Sequence, residues 1–303
     1  MDDRRTQLKN SVSGVLVVDK PIGITSHDVV QIIRNGTRIK RAGHTGTLDP
    51  RASGVLVILL GPAVRLSEYV SAEDKRYHAV IQLGKKTDTF DEEGTVTGGT
   101  SPEDITAQQF DEALQGFVGE IEQVPPPYSA VKVNGRKAYE MARKGEEVEL
   151  EPRIIHVHDL ELLEWDPPQA LVDVHCSSGT YVRSLANDLG EVLGCGAMLA
   201  GLRRTKSGKF TLKDAISLRK LTEAFQDGTW YKYLIPAADA LGEWPTINLT
   251  DEEVDLVRHG HRVKREENIG DMTRAISEQG ELVALMQFDS ESGEYQPKKV
   301  FFS

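Results

Sequence analysis

Cysteine, long apolar segments and aromatic residues are scarce in this chain of 303 residues. The two cysteines, Cys176 and Cys195, form neither a disulfide framework nor a CxxC metal pair, which is typical of a reducing compartment. The longest apolar run, residues 55–60, is about a third of the length that a membrane-spanning helix needs. The first residues also lack the apolar core of a secretory signal. These absences predict a cytoplasmic protein without a membrane partner.

Signature motifs of several enzyme classes are missing as well. No Gly-Lys-Ser/Thr follows the glycine-rich residues 41–54, which excludes a Walker-type phosphate loop, and no dinucleotide-binding glycine motif occurs. The pairs His156/His158 and His259/His261 have an alternating spacing that fits one strand face. A zinc site needs further ligands, however, and no cysteine or third histidine lies nearby in sequence. The sequence therefore predicts no metal site.

Positive charge is unevenly distributed along the chain, whose formal net charge is −11. Residues 91–122 carry nine acids and no lysine or arginine, and residues 145–166 carry eight acids and one base. Residues 34–76 carry eight bases against four acids, and residues 203–220 carry seven bases against one acid. A single charged run is most often a solvated face. Two basic blocks can also form one stripe that attracts nucleic acid, because the ligand responds to the local field.

The order of the predicted elements favours an α+β fold with a mixed sheet. Strands are predicted at residues 14–19, 55–60, 77–83, 131–133, 154–162 and 171–176. Helices are predicted from an N-cap at Ser26 to the Asn35-Gly36 pair, at 63–70, from Ser101-Pro102 to Phe117, from 137 to a C-cap at Gly145, and at 181–193. Strands and helices do not alternate strictly, which disfavours a doubly wound fold.

A domain boundary is predicted near residues 230–247, where tryptophan, proline and glycine interrupt any periodicity. The first domain covers residues 10–235, and a small β-rich domain covers residues 246–303. The second domain begins with a capping box, Thr250 to Glu253, and its helix is expected to end near Gly260. Short strands are predicted at residues 273–276, 282–288 and 300–302.

The densest chemical signal is Gly43-His44-Thr45-Gly46-Thr47-Leu48-Asp49-Pro50, followed by Ser53-Gly54. Glycines on both sides of one carboxylate let the backbone turn sharply and let a bulky ligand come close. Pro50 biases Asp49 toward an extended conformation. A carboxylate held in this way suits a nucleophile or a general base, whereas a bare Asp-Pro pair is most often only a turn.

This segment resembles the active-site loop of the TruB family of tRNA pseudouridine synthases. Four further stretches, in the family's order over roughly residues 14–210, are similar to its other motifs. They are Asp19-Lys20-Pro21-x-Gly23-x-Thr25-Ser26; Lys75-Arg76-Tyr77 with Leu83-Gly84 and Thr87-Asp88-Thr89 through Asp91 to Gly94; Gln123-Val124-Pro125-Pro126-x-Tyr128-Ser129-Ala130-x-Lys132 with Gly135 and Ala138-Tyr139; and Ser178-Gly179-Thr180-Tyr181-Val182-Arg183 with Leu202-Arg203-Arg204. Residues 51–53 are more polar than the family pattern, and Arg65 stands where lysine is common.

The resemblance implies a pseudouridine-synthase-like, mixed and largely antiparallel sheet with flanking helices. It also implies a small C-terminal β-barrel of the PUA type, although the sequence match of that module is weak. The implied reaction detaches uracil from ribose and rejoins it through C5, so no atom is gained and no cofactor is required. By resemblance Asp49 is the catalytic carboxylate, which adds to C6 of uracil, attacks C1′ of ribose or deprotonates the sugar. Arg183 is its implied partner, since a nearby guanidinium keeps a carboxylate ionised.

The remaining implied site residues contact the substrate. Tyr77 is the implied stacking residue and proton acceptor, although a lone tyrosine on a strand is more often part of a core. Without the motif, Arg183 would be an ordinary surface residue, and His44 would be a loop histidine that caps backbone groups. The other implied substrate-binding residues are Tyr181, Leu202, Lys20 and Arg65.

The sequence thus predicts a monomeric, stand-alone enzyme that converts uridine 55 in the T loop of tRNA to pseudouridine. Its second domain is expected to hold the acceptor end, and no obligate protein partner is expected. One alternative is a relative that depends on a guide RNA and partner proteins; the acidic residues 91–122 lie in a region that those relatives shorten. Another is a non-catalytic tRNA binder or chaperone. A glycosidase would usually need two carboxylates with separate roles.

Overall fold

The computed structural model describes residues 12–129, 131–133, 135–142, 144, 146 and 150–301. Contacts among these residues define two units. Unit 1 contains residues 12–50, 54–72 and 208–301, and unit 2 contains residues 51–53 and the described part of 73–207. Each unit combines helices with β-sheet, which confirms the predicted α+β class. Among the helices of these residues, none combines the length and the apolar character that crossing a bilayer requires.

Strands of nearly continuous apolar sequence form the centre of unit 1. β1 (Gly14–Lys20) and β2 (Ala42–His44) both pair antiparallel with β3 (Ala52–Leu60). β1 also pairs in parallel with β14 (Ile216–Ser217) and antiparallel with β15 (Ile235–Pro236), so this sheet has mixed direction. Nearly every residue of β1 and β3 is buried, so this part of the sheet is covered on both faces, as its nearly continuous apolar sequence requires.

Helices surround this sheet within unit 1. They are α1 (Ser26–Thr37), α2 (Ser67–Ala72), α6 (Leu218–Gln226) and the 3₁₀-helices Gly61–Leu66, Trp230–Tyr233 and Ala237–Leu241. The predicted start and end of α1 were both wrong. Thr25, not Ser26, is the N-cap, and it forms a capping box with Asp28. The helix continues through Gly36 to Thr37. A Cβ at Gly36 would lie 2.2 Å from the Phe225 ring, so this glycine permits the close packing of α6.

Unit 2 contains an antiparallel sheet in the order β12-β4-β11-β10-β7. Its strands are β4 (Lys75–Leu83), β7 (Gly119–Gln123), β10 (Arg153–Asp166), β11 (Gln169–Cys176) and β12 (Ala197–Ser207). In β4 buried and half-buried residues alternate along the whole strand, which gives the sheet two distinct faces. The predictions for β4, β10 and β11 are confirmed, whereas β7 and β12 were not anticipated.

Helix α5 (Val182–Val192) packs on β12, and α3 (Ala107–Gln115) packs on β10. The predicted start of α3 at Ser101-Pro102 was wrong, because Thr106 and Gln109 form the capping box. The shorter elements are β5 (Lys86–Thr87), β6 (Val96–Gly98), β8 (Lys132–Val133), β9 (Arg136–Lys137) and α4 (Ala138–Ala142). The predictions at Asn134 and Gly145 lie outside the described residues.

The C-terminal part of unit 1 is a five-stranded sheet of mixed direction, in the order β16-β18-β19-β20-β17. Its elements are β16 (Thr246–Leu249), α7 (Asp251–Arg258), β17 (Val263–Lys264), β18 (Met272–Ser277), β19 (Leu282–Asp289) and β20 (Glu294–Val300). The predicted capping box of α7 is confirmed. Phe302, predicted in the last strand, lies outside the described residues.

Two apolar cores support this sheet. One side packs on α7, where Val254 and Val257 belong to the same core as Ala275 of β18 and Val283 of β19. On the other side, Leu282, Leu285 and Phe301 belong to the same core as Val15 and Leu59 of the first strands. The C-terminal sheet is therefore part of the hydrophobic core that contains β1 and β3.

Candidate active site

The loop that carries Asp49 connects β2 to β3 in unit 1. The Ser26 hydroxyl holds both backbone groups of Leu48, the residue before Asp49. Leu48 N donates to Ser26 Oγ at 2.8 Å, and Ser26 Oγ donates to Leu48 O at 2.9 Å. Ser26 is available for this contact because Thr25 caps the helix. Leu48 itself is buried, so the backbone immediately before Asp49 is fixed by packing and by hydrogen bonds.

The residue after Asp49 is held as firmly. Pro50 O accepts a hydrogen bond from Gly23 N at 2.8 Å and one from the Lys20 ammonium at 3.4 Å. Lys20 is fully buried, and its ammonium also donates to Pro21 O at 2.9 Å. The Asp-Lys-Pro motif thus lies against the loop. Asp49 is half-buried, on a backbone that is anchored on both sides.

His44 and Thr45 begin the same loop. Thr45 is buried, and its N–H donates to Val57 O of β3 at 3.1 Å. His44 is half-buried, and its Nδ1 accepts a hydrogen bond from Gly46 N at 3.4 Å. Gly46 has a φ of 147°, which disfavours a residue with a side chain. The turn is therefore held by the contact of Thr45 with β3 and by the contact of Gly46 with the His44 ring.

Arg65 has a structural contact in the same unit. Its guanidinium donates to Val300 O of β20, and its own carbonyl accepts a hydrogen bond from Lys299 at 3.1 Å. Arg65 thus joins the 3₁₀-helix Gly61–Leu66 to the last strand of the C-terminal sheet.

Tyr77 is the third residue of β4 in unit 2 and is buried. Its neighbours in register are Val174 on β11 and Arg204 on β12. Leu202, two residues before Arg204, is half-buried opposite Ala79. Cross-strand neighbours share a face, so Tyr77, Val174 and Arg204 lie on one face of the sheet.

Arg183 lies in the first turn of α5, where three groups hold its guanidinium. Nη1 contacts Asp91 Oδ2 at 3.2 Å and Thr89 O at 3.3 Å, and Nη2 donates to Tyr128 O at 3.1 Å. The side chains of Arg183 and Asp91 are 11% and 17% exposed, so this ion pair is largely shielded from water. Three of the sequence motifs therefore meet at this guanidinium, and its orientation is fixed.

Tyr181 is the residue before α5, and a buried amide holds its backbone. Tyr181 N donates to Gln123 Oε1 at 2.8 Å, and Gln123 Nε2 donates to Tyr181 O at 3.1 Å. Ser184 Oγ also donates to Val124 O at 2.7 Å. The Gln-Val-Pro-Pro motif thus fixes the start of the helix that carries Tyr181 and Arg183.

Two buried titratable groups lie on the same face as Tyr77. Burial, together with the smaller effect of the nearby Arg204 charge, lowers the pKa of Lys75 to about 8. Burial raises the pKa of the Cys176 thiol to about 11. A thiol with this pKa is protonated at neutral pH, so Cys176 is a poor nucleophile.

The predicted site residues fall into two groups. In unit 1 the Asp49 loop includes His44 and rests on Lys20, while the guanidinium of Arg65 contacts β20. In unit 2, Tyr77 and Leu202 lie on neighbouring strands, and Tyr181 and Arg183 begin α5. Sequence reasoning missed three supporting residues, Ser26, Gln123 and Asp91. Each stands inside one of the quoted motifs, which is the signal that could have identified them.

A solved structure shares this architecture. A chain from the structure of an H/ACA RNP bound to a substrate RNA containing 2′-deoxyuridine superposes with a TM-score of 0.74 and 27% identity, covering 100% of this chain and 89% of that one. Profiles of the TruB family pseudouridylate synthase N-terminal domain and of the tRNA pseudouridylate synthase B C-terminal domain match residues 34–182 and 183–241. The fold is that of the pseudouridine synthases, which are isomerases.

Sequence relatives show to which family of pseudouridine synthases the chain belongs. The tRNA pseudouridine synthase B of Thiobacillus denitrificans is 42% identical over 292 residues, or 96% of this chain and 97% of the relative. That of Symbiobacterium thermophilum is 46% identical over 259 residues, or 84% and 85% of the two chains. The chain belongs to the TruB family of pseudouridylate synthases.

Proposed function

We propose that this enzyme acts on tRNA and converts the uridine at position 55 of the T loop to pseudouridine, with Asp49 as the catalytic carboxylate. The observation that carries the proposal is the anchoring of the Asp49 loop by Ser26 before the carboxylate and by Gly23 and Lys20 after it. A catalytic group gains most when its position is fixed before substrate binds.

The reaction breaks the bond between C1′ and N1 and forms one between C1′ and C5. Asp49 acts by adding to C6, by attacking C1′ or by removing a sugar proton. The proton leaves C5 and N1 gains one, so atoms and charge balance without a cofactor. Tyr77 stacks on the base and accepts the C5 proton. Arg183, whose orientation Asp91 fixes, supplies the positive charge that keeps a catalytic carboxylate ionised.

The target base must leave the folded T loop before it reaches a carboxylate. Extraction costs a few kcal/mol, which stacking and hydrogen bonds in the pocket offset. His44 takes part in extraction, while Tyr181 and Leu202 line the pocket. The buried Lys20 supports the Asp49 loop, while exposed basic residues such as Arg41 contact the RNA, so binding weakens with salt.

The decisive experiment compares Asp49→Asn with the unchanged enzyme on an unmodified tRNA transcript. The amide keeps the size of the side chain but cannot act as a nucleophile or base. We expect pseudouridine formation to be abolished while tRNA affinity changes by less than tenfold. The matched control is Asp104→Asn, which removes one exposed carboxylate in unit 2 and should retain full turnover.

Full turnover by Asp49→Asn would refute the catalytic assignment. Loss of turnover in both variants would also contradict it, because the effect would then follow net charge. Mapping pseudouridine in the product tests position 55 separately from the role of Asp49.

A guide-dependent enzyme is the second candidate, because the similar solved chain comes from an RNP that binds a substrate RNA. A stand-alone enzyme modifies a bare T-arm stem-loop when it is the only protein present. A guide-dependent enzyme requires added RNA and protein. Relatives with 42% and 46% identity that carry the name tRNA pseudouridine synthase B favour the first.

We propose further that residues 10–235 form the catalytic domain and residues 246–303 a PUA-like module that binds the acceptor end. The five-stranded sheet supports a separate module, whereas its shared core with β1 ties it to the rest of unit 1. Arg262 and Arg265 are paired with Asp289 and Glu253. Lys264 is exposed on β17 and is the better RNA contact. The enzyme acts as a cytoplasmic monomer.

A further inference from the structure

Three imidazoles meet on the face of the unit 2 sheet opposite Tyr77. His156 and His158 flank the buried Val157 on β10, so both rings stand on the outer face. His175 lies on β11 next to Val174, which shares the face of Tyr77, so the His175 ring points the other way. Ring centroids are 4.7 Å apart between His156 and His158, and 4.7 Å apart between His158 and His175.

A β-bulge creates this arrangement. The register of β10 against β11 shifts between Val157 and Asp159, so that Asp159, rather than His158, pairs with His175. The extra residue, His158, is thereby added to the outer face. Bulges commonly redirect a side chain at a functional position.

A carboxylate completes the cluster. Asp74 directly precedes β4, and its Oδ2 lies 3.0 Å from His158 Nε2. One ligand atom each from Asp74, His158 and His175 lie within 4.8 Å of one another. The side chains of His158 and Asp74 are 33% and 48% exposed, so an ion from solvent can reach them.

We propose that Asp74, His158 and His175 bind a divalent transition-metal ion of the zinc type, with His156 as the fourth ligand. Imidazole nitrogen with one carboxylate is a donor set that Zn²⁺ and its neighbours accept, whereas Mg²⁺ prefers oxygen ligands. With bonds of about 2.0 Å, tetrahedral ligands lie about 3.3 Å apart. The 3.0 Å between Asp74 and His158 fits this distance, and rotation of exposed side chains brings the other atoms closer.

The surrounding charges permit a dication. Arg76 and Lys206 act electrostatically on His175, and both oppose cation binding. Arg76 is already paired, because its guanidinium contacts Asp173 and lies 3.7 Å from Asp159. The acidic groups on this face therefore offset much of the positive charge. We expect an exchangeable site rather than one that the fold requires.

The alternative is a simple hydrogen bond between His158 and Asp74 that joins β10 to the start of β4. The two accounts differ in whether Zn²⁺ binds to the chelator-treated enzyme. Calorimetric titration with ZnCl₂ should show one equivalent bound to the unchanged chain. His158→Ala and His175→Ala should each lower the affinity at least about tenfold. The matched control, His27→Ala, removes an exposed histidine of α1 and should leave binding unchanged.

Absence of saturable Zn²⁺ binding would overturn the proposal, as would equal affinity in the unchanged chain and both cluster variants. A Co²⁺ titration of the unchanged chain gives a result that does not depend on folding of the variants. Intense visible absorption, typical of a four-coordinate ion, supports the site, and a weak octahedral spectrum contradicts it. Excess Mg²⁺ should not displace Zn²⁺, and displacement would also contradict the proposed donor set.

Discussion

Replacement of Gly190 by alanine tests whether α5 is as tightly packed as the structure indicates. Gly190 lies in the second half of the helix, against the start of β12. A Cβ there would lie 2.0 Å from Ala197 N and 2.5 Å from Gly196 C. Both are backbone atoms, so no side-chain rotation relieves the overlap. The helix end and the strand must move apart, which also strains the hydrogen bond from Gly196 N to Gly190 O, 2.9 Å long.

Two opposing effects decide the outcome. In an unobstructed helix, alanine is more favourable than glycine by about 1 kcal/mol. Overpacking a tight interface costs about 1–3 kcal/mol, and the overlap with backbone places Gly190→Ala at or above the upper end. We expect a net loss of about 2 kcal/mol in the free energy of unfolding, which lowers Tm by about 5 °C.

Thermal and urea unfolding of the full chain measure this loss. The matched control is Gly98→Ala in β6, where a Cβ meets no atom within 4 Å. We expect the control to stay within about 0.5 kcal/mol of the unchanged chain. A Gly190→Ala variant that is as stable as the parent would refute the packing of α5 on β12.

Three further predictions address the loop, a buried ammonium and the shared core. Ser26→Ala removes both contacts to Leu48, so the rate at saturating tRNA should fall more than tenfold. The free energy of unfolding should fall by about 1–3 kcal/mol. An unchanged rate would contradict the anchoring role of Ser26. Because the folded state disfavours the charged form of Lys75, that cost is fully present below pH 8 and is relieved as pH rises toward 10.5. The unfolding free energy of the parent relative to Lys75→Met should therefore rise by about 3 kcal/mol over this range, and a flat difference would argue against a buried ammonium. Leu285→Ala should cost about 2–5 kcal/mol and leave one unfolding transition, whereas a separate early transition would show that the C-terminal sheet unfolds independently.

The sequence predicted elements whose pattern is local. β4 contains the β-branched pair Val80-Ile81, and α7 begins with a capping box, so both were identified from neighbouring residues. The Asp49 loop was recognisable because glycine and proline are concentrated in residues 41–54 without any apolar period, a composition that favours a turn. Family motifs added the other site residues. They did not show that Asp91 holds the Arg183 guanidinium or that Gln123 holds the backbone of Tyr181.

Long-range packing accounts for what the sequence did not reveal. β12 carries arginines and a glycine, and Arg204 is nonetheless buried beside Tyr77, so no apolar period marks this strand. Gly36 stands inside α1 because Phe225, almost two hundred residues later, packs against it. His175 and Asp74 are likewise distant in sequence from His158, and only the sheet brings them together.

The pairing of β1 has a consequence for biosynthesis. β1 emerges from the ribosome early, but its neighbours β14 and β15 are translated about 200 residues later. Leu285 and Phe301, which belong to the same core as Val15, come later still. β3 pairs with one edge of β1 soon after it is made, but the other edge of β1 stays uncovered until β14 and β15 have been translated. The core of unit 1 can therefore be completed only after residues 208–301 have been made, whereas the contacts that hold the Asp49 loop all come from residues made early.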